Sequence, residues 1–122
     1  KPNEITRVSL LRAKFAENLA SVFEMKMQES ELFLMGLFSV LDLILNKPME
    51  EALKMVKVSK EISDALIEHK GSLAPILDFV IQYEKGNWQE VSRLMVLNEI
   101  SMDPVYDAYV DSLKWYKDLF TE

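Results

Sequence analysis

The chain has 122 residues, 49% of them hydrophobic, with 14 basic against 20 acidic side chains, a formal net charge of −6 and no cysteine. That length and apolar content suffice for one buried core, hence one domain over residues 1–122. The missing thiol excludes disulfides, cysteine nucleophiles and Cys-ligated zinc and agrees with a reducing cytoplasm, while the acidic balance opposes the phosphate backbone that dominates nucleic-acid affinity.

Asn3 stands where an N-cap accepts from the free amides of a first helical turn. After it Ile5, Val8, Leu11, Phe15, Leu19 and Val22 or Phe23 recur at helical spacing, with Arg7, Arg12, Lys14 and Glu17 at more polar positions. This predicts an amphipathic helix with one buried stripe. Glu24 to Glu29 is polar apart from Met25 and Met27 and is expected to connect to a second helix capped by Ser30.

That second helix, Ser30 to Asn46, is the stretch around which the chain is expected to organise. It is apolar from Leu32 to Leu45 except for Gly36, Ser39 and Asp42, so its hydrophobic surface wraps most of the circumference and needs neighbours on nearly every side. A continuous helix here would be about 25 Å long. On a helical wheel Glu31, Ser39, Asp42 and Asn46 fall within about 80° of one another, a narrow polar strip, and Asp42 is expected to bond a neighbouring helix terminus. Gly36 lies off that strip, where a missing side chain costs roughly 0.5–1 kcal/mol of helix propensity. Close approach of another helix is the expected compensation.

Pro48 suits the first turn of a short third helix with Met49, Leu53 and Val56 on its apolar face. Ser59 is expected to cap a fourth, with Ile62, Ala65, Leu66 and Ile67 inward and Gly71 ending it at positive φ. Ser72 opens a fifth that tolerates Pro75 in its first turn, runs through Leu77, Val80 and Ile81 to Tyr83, and stops at Gly86. The run N-W-Q-E from Asn87 has capping-box spacing and leads a sixth helix through Val91, Leu94, Met95 and Asn98. A last helix begins between Ser101 and Pro104 and carries Val105, Tyr106, Tyr109, Val110, Leu113, Tyr116 and Phe120. No run alternates with the period of a half-buried strand, so the fold is expected to be all-α, about seven helices packed around a central hydrophobic helix at about 30–46.

Residue types with chemistry are sparse. His69 is the only histidine and sits in a last helical turn, where a cation complements the helix dipole, so it reads as an exposed terminal residue. Glu31 and Asp42 would be about 16 Å apart, too far for a shared acid–base pair. The pairs Glu50/Glu51 and Asp107/Asp111 are expected to face solvent. Trp88, Trp115, Tyr83, Tyr106, Tyr109 and Tyr116 gather in the last third, but Asp103, Asp107, Asp111 and Asp118 lie among them, which argues against base stacking and for core packing, with some rings free to meet another protein. Gly36, Gly71 and Gly86 are isolated and make no phosphate loop. The sequence therefore assigns no catalytic, cofactor-binding or metal residue, no cofactor and no nucleic acid, and no uninterrupted apolar run of ~18 residues indicates membrane insertion.

The stretch F-L-M-G-L-F-S-V-L-D-L-I-L-N-K-P-M-E-E-A-L, Phe33 to Leu53, resembles the most recognisable segment of bacterial HDOD domains, output domains related to HD phosphohydrolases, and in particular those joined to an EAL domain in cyclic di-GMP signalling proteins. The flanking runs R-A-K-F-A-E-N-L-A, V-S-K-E-I-S-D-A-L, G-S-L-A-P-I-L and Y-E-K-G-N-W follow in the same order, so the resemblance covers nearly the whole chain. It implies a helical fold without the HD metal ligands, the C-terminal part of an HDOD domain, and a noncatalytic regulatory role toward a protein partner or the rest of its parent. Any phosphodiesterase activity would belong to an EAL domain outside these residues. The chain begins at Lys1 rather than methionine, as a piece of a longer protein would, and absent upstream helices are expected to bare apolar surface and favour a homodimer. The alternative is a tetratricopeptide-like helical-repeat scaffold, suggested by G-N-W-Q-E-V but lacking a period of ~34 residues.

Overall fold

The computed structural model describes residues 3–121. Helix α1 spans Glu4–Leu19, and Asn3 Oδ1 accepts from the Thr6 amide at 2.9 Å, the cap expected of it. Its deepest residues are Ser9, Ala13, Phe15, Ala16 and Leu19, whereas Ile5 is exposed and Val8 and Leu11 are half-buried. The stripe of large side chains thus lies partly beside the main contact. The reason is the helix that crosses α1.

That helix, α2, spans Glu29–Phe38 and meets α1 at Gly36. A Cβ built on Gly36 would lie 2.6 Å from the carbonyl carbon and oxygen of Arg12 and 2.7 Å from Ala13 Cα, so the backbones approach as closely as glycine permits. Only small side chains fit there on the α1 side, and Ser9 Oγ donates to the Leu37 carbonyl at 2.7 Å across the crossing. The compensation expected for Gly36 is present.

The expected continuous helix from Ser30 to Asn46 is divided. It starts at Glu29, with Gln28 rather than Ser30 at the cap, and breaks after Phe38; α3 spans Leu41–Leu45 and ends at Asn46 in the left-handed region, φ 53°. The break has a local cause. Ser39 directs both its amide (3.3 Å) and its hydroxyl (2.7 Å) to the Gly36 carbonyl, a tightened turn that competes with the α-helical ladder. Arg12 Nη1 donates to the same hydroxyl at 3.2 Å and holds it there. Leu32, Met35, Val40 and Leu41 are buried, but Leu43 and Ile44 are 61% and 52% exposed, so the sheath expected around the whole stretch covers α2 and leaves much of α3 bare.

Helix α4, Met49–Ala52, has Pro48 at its cap, one position earlier than expected, with the Pro48 carbonyl accepting from Glu51 (3.0 Å) and Ala52 (2.9 Å). A 3₁₀ turn, Leu53–Met55, follows, and Ala52 and Leu53 are buried. Helix α5, Lys60–Ser63, is capped as expected by Ser59, whose Oγ accepts from Ile62 at 3.3 Å and donates to the Glu31 carboxylate, tying α5 to α2. It widens into a π-helical turn, Asp64–Glu68, closed by His69 at φ 55°. The left-handed cap is therefore His69, not Gly71, although Gly71 also has positive φ, 93°.

Helix α6, Ala74–Lys85, begins on Leu73 rather than Ser72, carries Pro75 in its first turn and stops at Gly86, φ 71°. It buries Ile76, Leu77, Phe79, Val80 and Tyr83, with Phe79 the largest fully buried side chain. Helix α7, Trp88–Leu97, is capped by Asn87, whose side chain accepts from Glu90 at 3.4 Å. The capping box is only half formed: the Glu90 carboxylate turns to Arg93, and the Asn87 amide donates to Gln82. Helix α8, Met102–Leu119, buries Val105, Ala108 and Ser112 and runs antiparallel along α1. Asn18 Nδ2 donates to the Ala108 carbonyl at 3.1 Å, the rings of Phe15 and Tyr109 meet edge-on at 5.3 Å, and Lys14 Nζ lies 5.5 Å from the Trp115 ring. The architecture is all-α, with no strand among the described residues. Because α8 returns to α1, the helices do not stack as a repeat array, in which each unit touches only its neighbours.

Candidate interaction site

The ionisable residues singled out in the sequence are scattered. Glu31 is held by Ser59, Glu50, Glu51, Asp107 and Asp111 are exposed, and exposed His69 closes the π-helical turn. Asp42 is half-buried, and among the described residues its carboxylate forms no hydrogen bond to a helix terminus; its carbonyl instead accepts from Lys47 at 3.1 Å in the turn that ends α3. That corrects the role expected for it. Asp42 and His69 both line one open cleft between α3, the π-helical turn and α6, and a neighbouring cleft of about 630 Å³ runs from His69 to Leu94 of α7. Among the described residues no three His, Asp or Glu side chains are grouped to hold a metal ion.

The six large aromatics divide between core and surface. Tyr83 is buried, Tyr109, Trp115 and Tyr116 are half-buried, and Trp88 and Tyr106 are 55% and 57% exposed. Three of them form a connected group with Phe15: Tyr83 lies 5.1 Å from Phe15, 4.9 Å from Tyr109 and 5.1 Å from Trp88, centroid to centroid, while Trp115 pairs with Phe33 and Tyr116 with Phe120. Burial pushes the Tyr83 phenol above its ordinary pKa, and the neighbouring Tyr109 and Tyr106 push it the same way.

Beside this group lies a groove of about 310 Å³ between α1, α6 and α8. Val8, Leu11, Phe15, Val80 and Tyr109 make its apolar wall. Arg12 crosses its rim to Glu84 with two hydrogen bonds, Nε–Oε2 at 3.0 Å and Nη2–Oε1 at 2.7 Å, a paired geometry that fixes α1 against α6. At its other end Glu4 pairs with Arg7 at 2.9 Å, and that hydrogen bond holds the Glu4 carboxyl below the usual carboxylate range. The surface that results sets an apolar wall between charged edges. The sequence reading named its aromatic residues but missed Ser9, Ala13 and Ala16, the small residues that set α1 against α2; their small–small spacing opposite Gly36 was the available signal.

Compared with known proteins, the chain is 29% identical over 119 residues to the cyclic di-GMP phosphodiesterase CdgJ of Vibrio cholerae and 31% identical over 117 residues to the uncharacterized protein YuxH of Bacillus subtilis. These matches cover 98% and 96% of this chain, which spans only 28% of the length of either curated relative. No protein-family profile matches the chain. No solved structure matches it.

Proposed function

We propose that this chain is a noncatalytic regulatory and protein-interaction module of a bacterial cyclic di-GMP signalling protein, the C-terminal part of an HDOD domain that works with an EAL domain lying outside these residues. The observation that supports it is the shape of the match to CdgJ: 98% of this chain aligns with 28% of a phosphodiesterase. Its described residues offer no metal-holding group, and they carry a groove with an apolar wall and charged edges. In this reading the hydrolysis named for CdgJ belongs to another part of that protein, and the present stretch binds a protein partner or its own parent in the cytoplasm.

The test is direct. Purified chain incubated with cyclic di-GMP and Mg²⁺ or Mn²⁺ is expected to leave the dinucleotide intact. Metal-dependent turnover that disappears in His69→Ala would overturn the proposal. In a polypeptide that joins this stretch to an EAL domain, deleting residues 3–121 is expected to abolish capture of a protein partner while phosphodiesterase turnover remains.

A further inference from the structure

Helix α8 carries two apolar seams; the fold buries one and covers the other only in part, through Tyr109, whose ring packs on Phe15 and Tyr83. The first, Val105, Ala108 and Ser112, is buried against α1. The second is Met102, Tyr106, Tyr109, Leu113, Tyr116 and Phe120, whose successive spacings of four, three, four, three and four residues are those of a coiled-coil seam. Met102, Tyr106, Leu113 and Phe120 are 45%, 57%, 38% and 51% exposed, and Tyr109 and Tyr116 are half-buried. A seam that keeps this register through the 18 residues of α8 is more than the scatter of single apolar residues that any surface shows.

We propose that this seam is a homodimer interface in which the α8 of a second copy lies antiparallel, about a two-fold axis beside Val110 and Asp111. The occupant is identified by self-complementarity. Antiparallel pairing about that axis sets Met102 against the partner's Phe120, Tyr106 against the partner's Tyr116 and Tyr109 against the partner's Leu113, so all six positions are used in three layers and their symmetry mates. The flank beside the seam carries Asp103, Val110 and Lys117, one heptad apart. The same axis puts Asp103 opposite the partner's Lys117, Lys117 opposite the partner's Asp103, and Val110 against its own copy. Asp103 and Lys117 are both exposed, and neither takes part in the ion pairs seen among the described residues.

Parallel pairing would instead bring each flank charge to the position occupied in the partner by Val105, Ser112 or Leu119 and leave it without a counterion. Layers and charges therefore select the same orientation, and an isologous contact of this kind closes on itself as a dimer. One pair of helices buries an area near the lower limit of stable interfaces, roughly 1,000 Å², so the dimer is expected to dissociate at concentrations on the order of micromolar. The interface is set by α8 alone and is independent of the signalling reading.

Sedimentation velocity of the purified chain, from about 1 to about 300 μM, tests it. The expected result is a rise from monomer to dimer across that range. Leu113→Glu is expected to weaken the dimer at least tenfold, with the far-ultraviolet circular dichroism and melting of the monomer unchanged. Asp103→Lys and Lys117→Asp each set like charges together twice per dimer and are expected to weaken it about tenfold. The double variant Asp103→Lys/Lys117→Asp, self-complementary again, is expected to recover the original affinity, and an equimolar mixture of the two single variants to form a heterodimer. A chain that stays monomeric at the top concentration, which would assign the seam to a different protein, overturns the proposal. So does a dimer indifferent to Leu113→Glu or to the single charge reversals.

Discussion

Gly36 has no room for a methyl group. In an exposed helix an alanine there would gain roughly 0.5–1 kcal/mol of helix propensity, but here its Cβ would press on the Arg12 carbonyl and Ala13 Cα, backbone atoms that cannot rotate away. Overpacking against backbone outweighs propensity, so Gly36→Ala is expected to lower stability by about 2–3 kcal/mol in urea denaturation. A gain would mean that α1 and α2 can separate without loss. Tyr83 makes a second prediction at this scale. Its phenol is pushed upward by burial, so the neutral form is the one the fold favours, and the contribution is fully present below the unfolded value of about 10 and is lost as pH rises through the folded one. Tyr83→Phe removes the group that must ionise. Above about pH 10 the variant is therefore expected to lose less stability than the parent as pH rises, read from denaturation midpoints. Coincident alkaline limbs would show that Tyr83 meets solvent freely.

Caps were legible at the level of elements because they are local. Asn3, Ser59 and Asn87 each stand at the start of an apolar period, and each accepts from an amide three residues on. Breaks inside apolar runs were not legible, because their causes come from elsewhere in the chain or from backbone geometry that periodicity does not encode. Ser39 interrupts the long hydrophobic run with its own i to i−3 bonds, held by an arginine distant in sequence. The π-helical turn shifts its cap from Gly71 to His69. His69 thereby occupies a conformation that costs a side-chain-bearing residue roughly 1 kcal/mol, part of which glycine regains at the expense of a more disordered unfolded chain. His69→Gly is expected to stabilise the fold by about 0.5 kcal/mol, read as a higher denaturation midpoint with an unchanged slope. Ser59 works in the opposite sense. Ser59→Ala deletes a helix cap and the donor to Glu31 together and is expected to cost about 1–2 kcal/mol.

For the whole molecule, the all-α class could be read from hydrophobic periods alone, but the weight each helix carries could not, since a run of apolar residues looks the same whether neighbours cover it or not. The run from Leu32 to Leu45 promised a rod sheathed along its length. The fold divides that role: α2 crosses α1 at a glycine, α6 sets Tyr83 against Phe15 of α1 and Tyr109 of α8 and Phe79 against Phe23 beyond the end of α1, and the last turns of the rod stay in water. Two sets of substitutions separate these assignments. Phe79→Ala, at a side chain with no exposed surface, is expected to cost about 3–5 kcal/mol, a large share of the roughly 5–15 kcal/mol that holds a domain of this size together. Leu43→Ala and Ile44→Ala, at side chains mostly in solvent, are expected to stay within about 0.5 kcal/mol of the parent. Denaturation followed by circular dichroism at about 1 μM keeps any α8 dimer from adding to the difference. If the α3 pair proved as costly as Phe79, a partner or a second copy would have to be covering α3 in solution. If Phe79 proved cheap, α6 would not be the element that fills the core beside Phe23 and Tyr83.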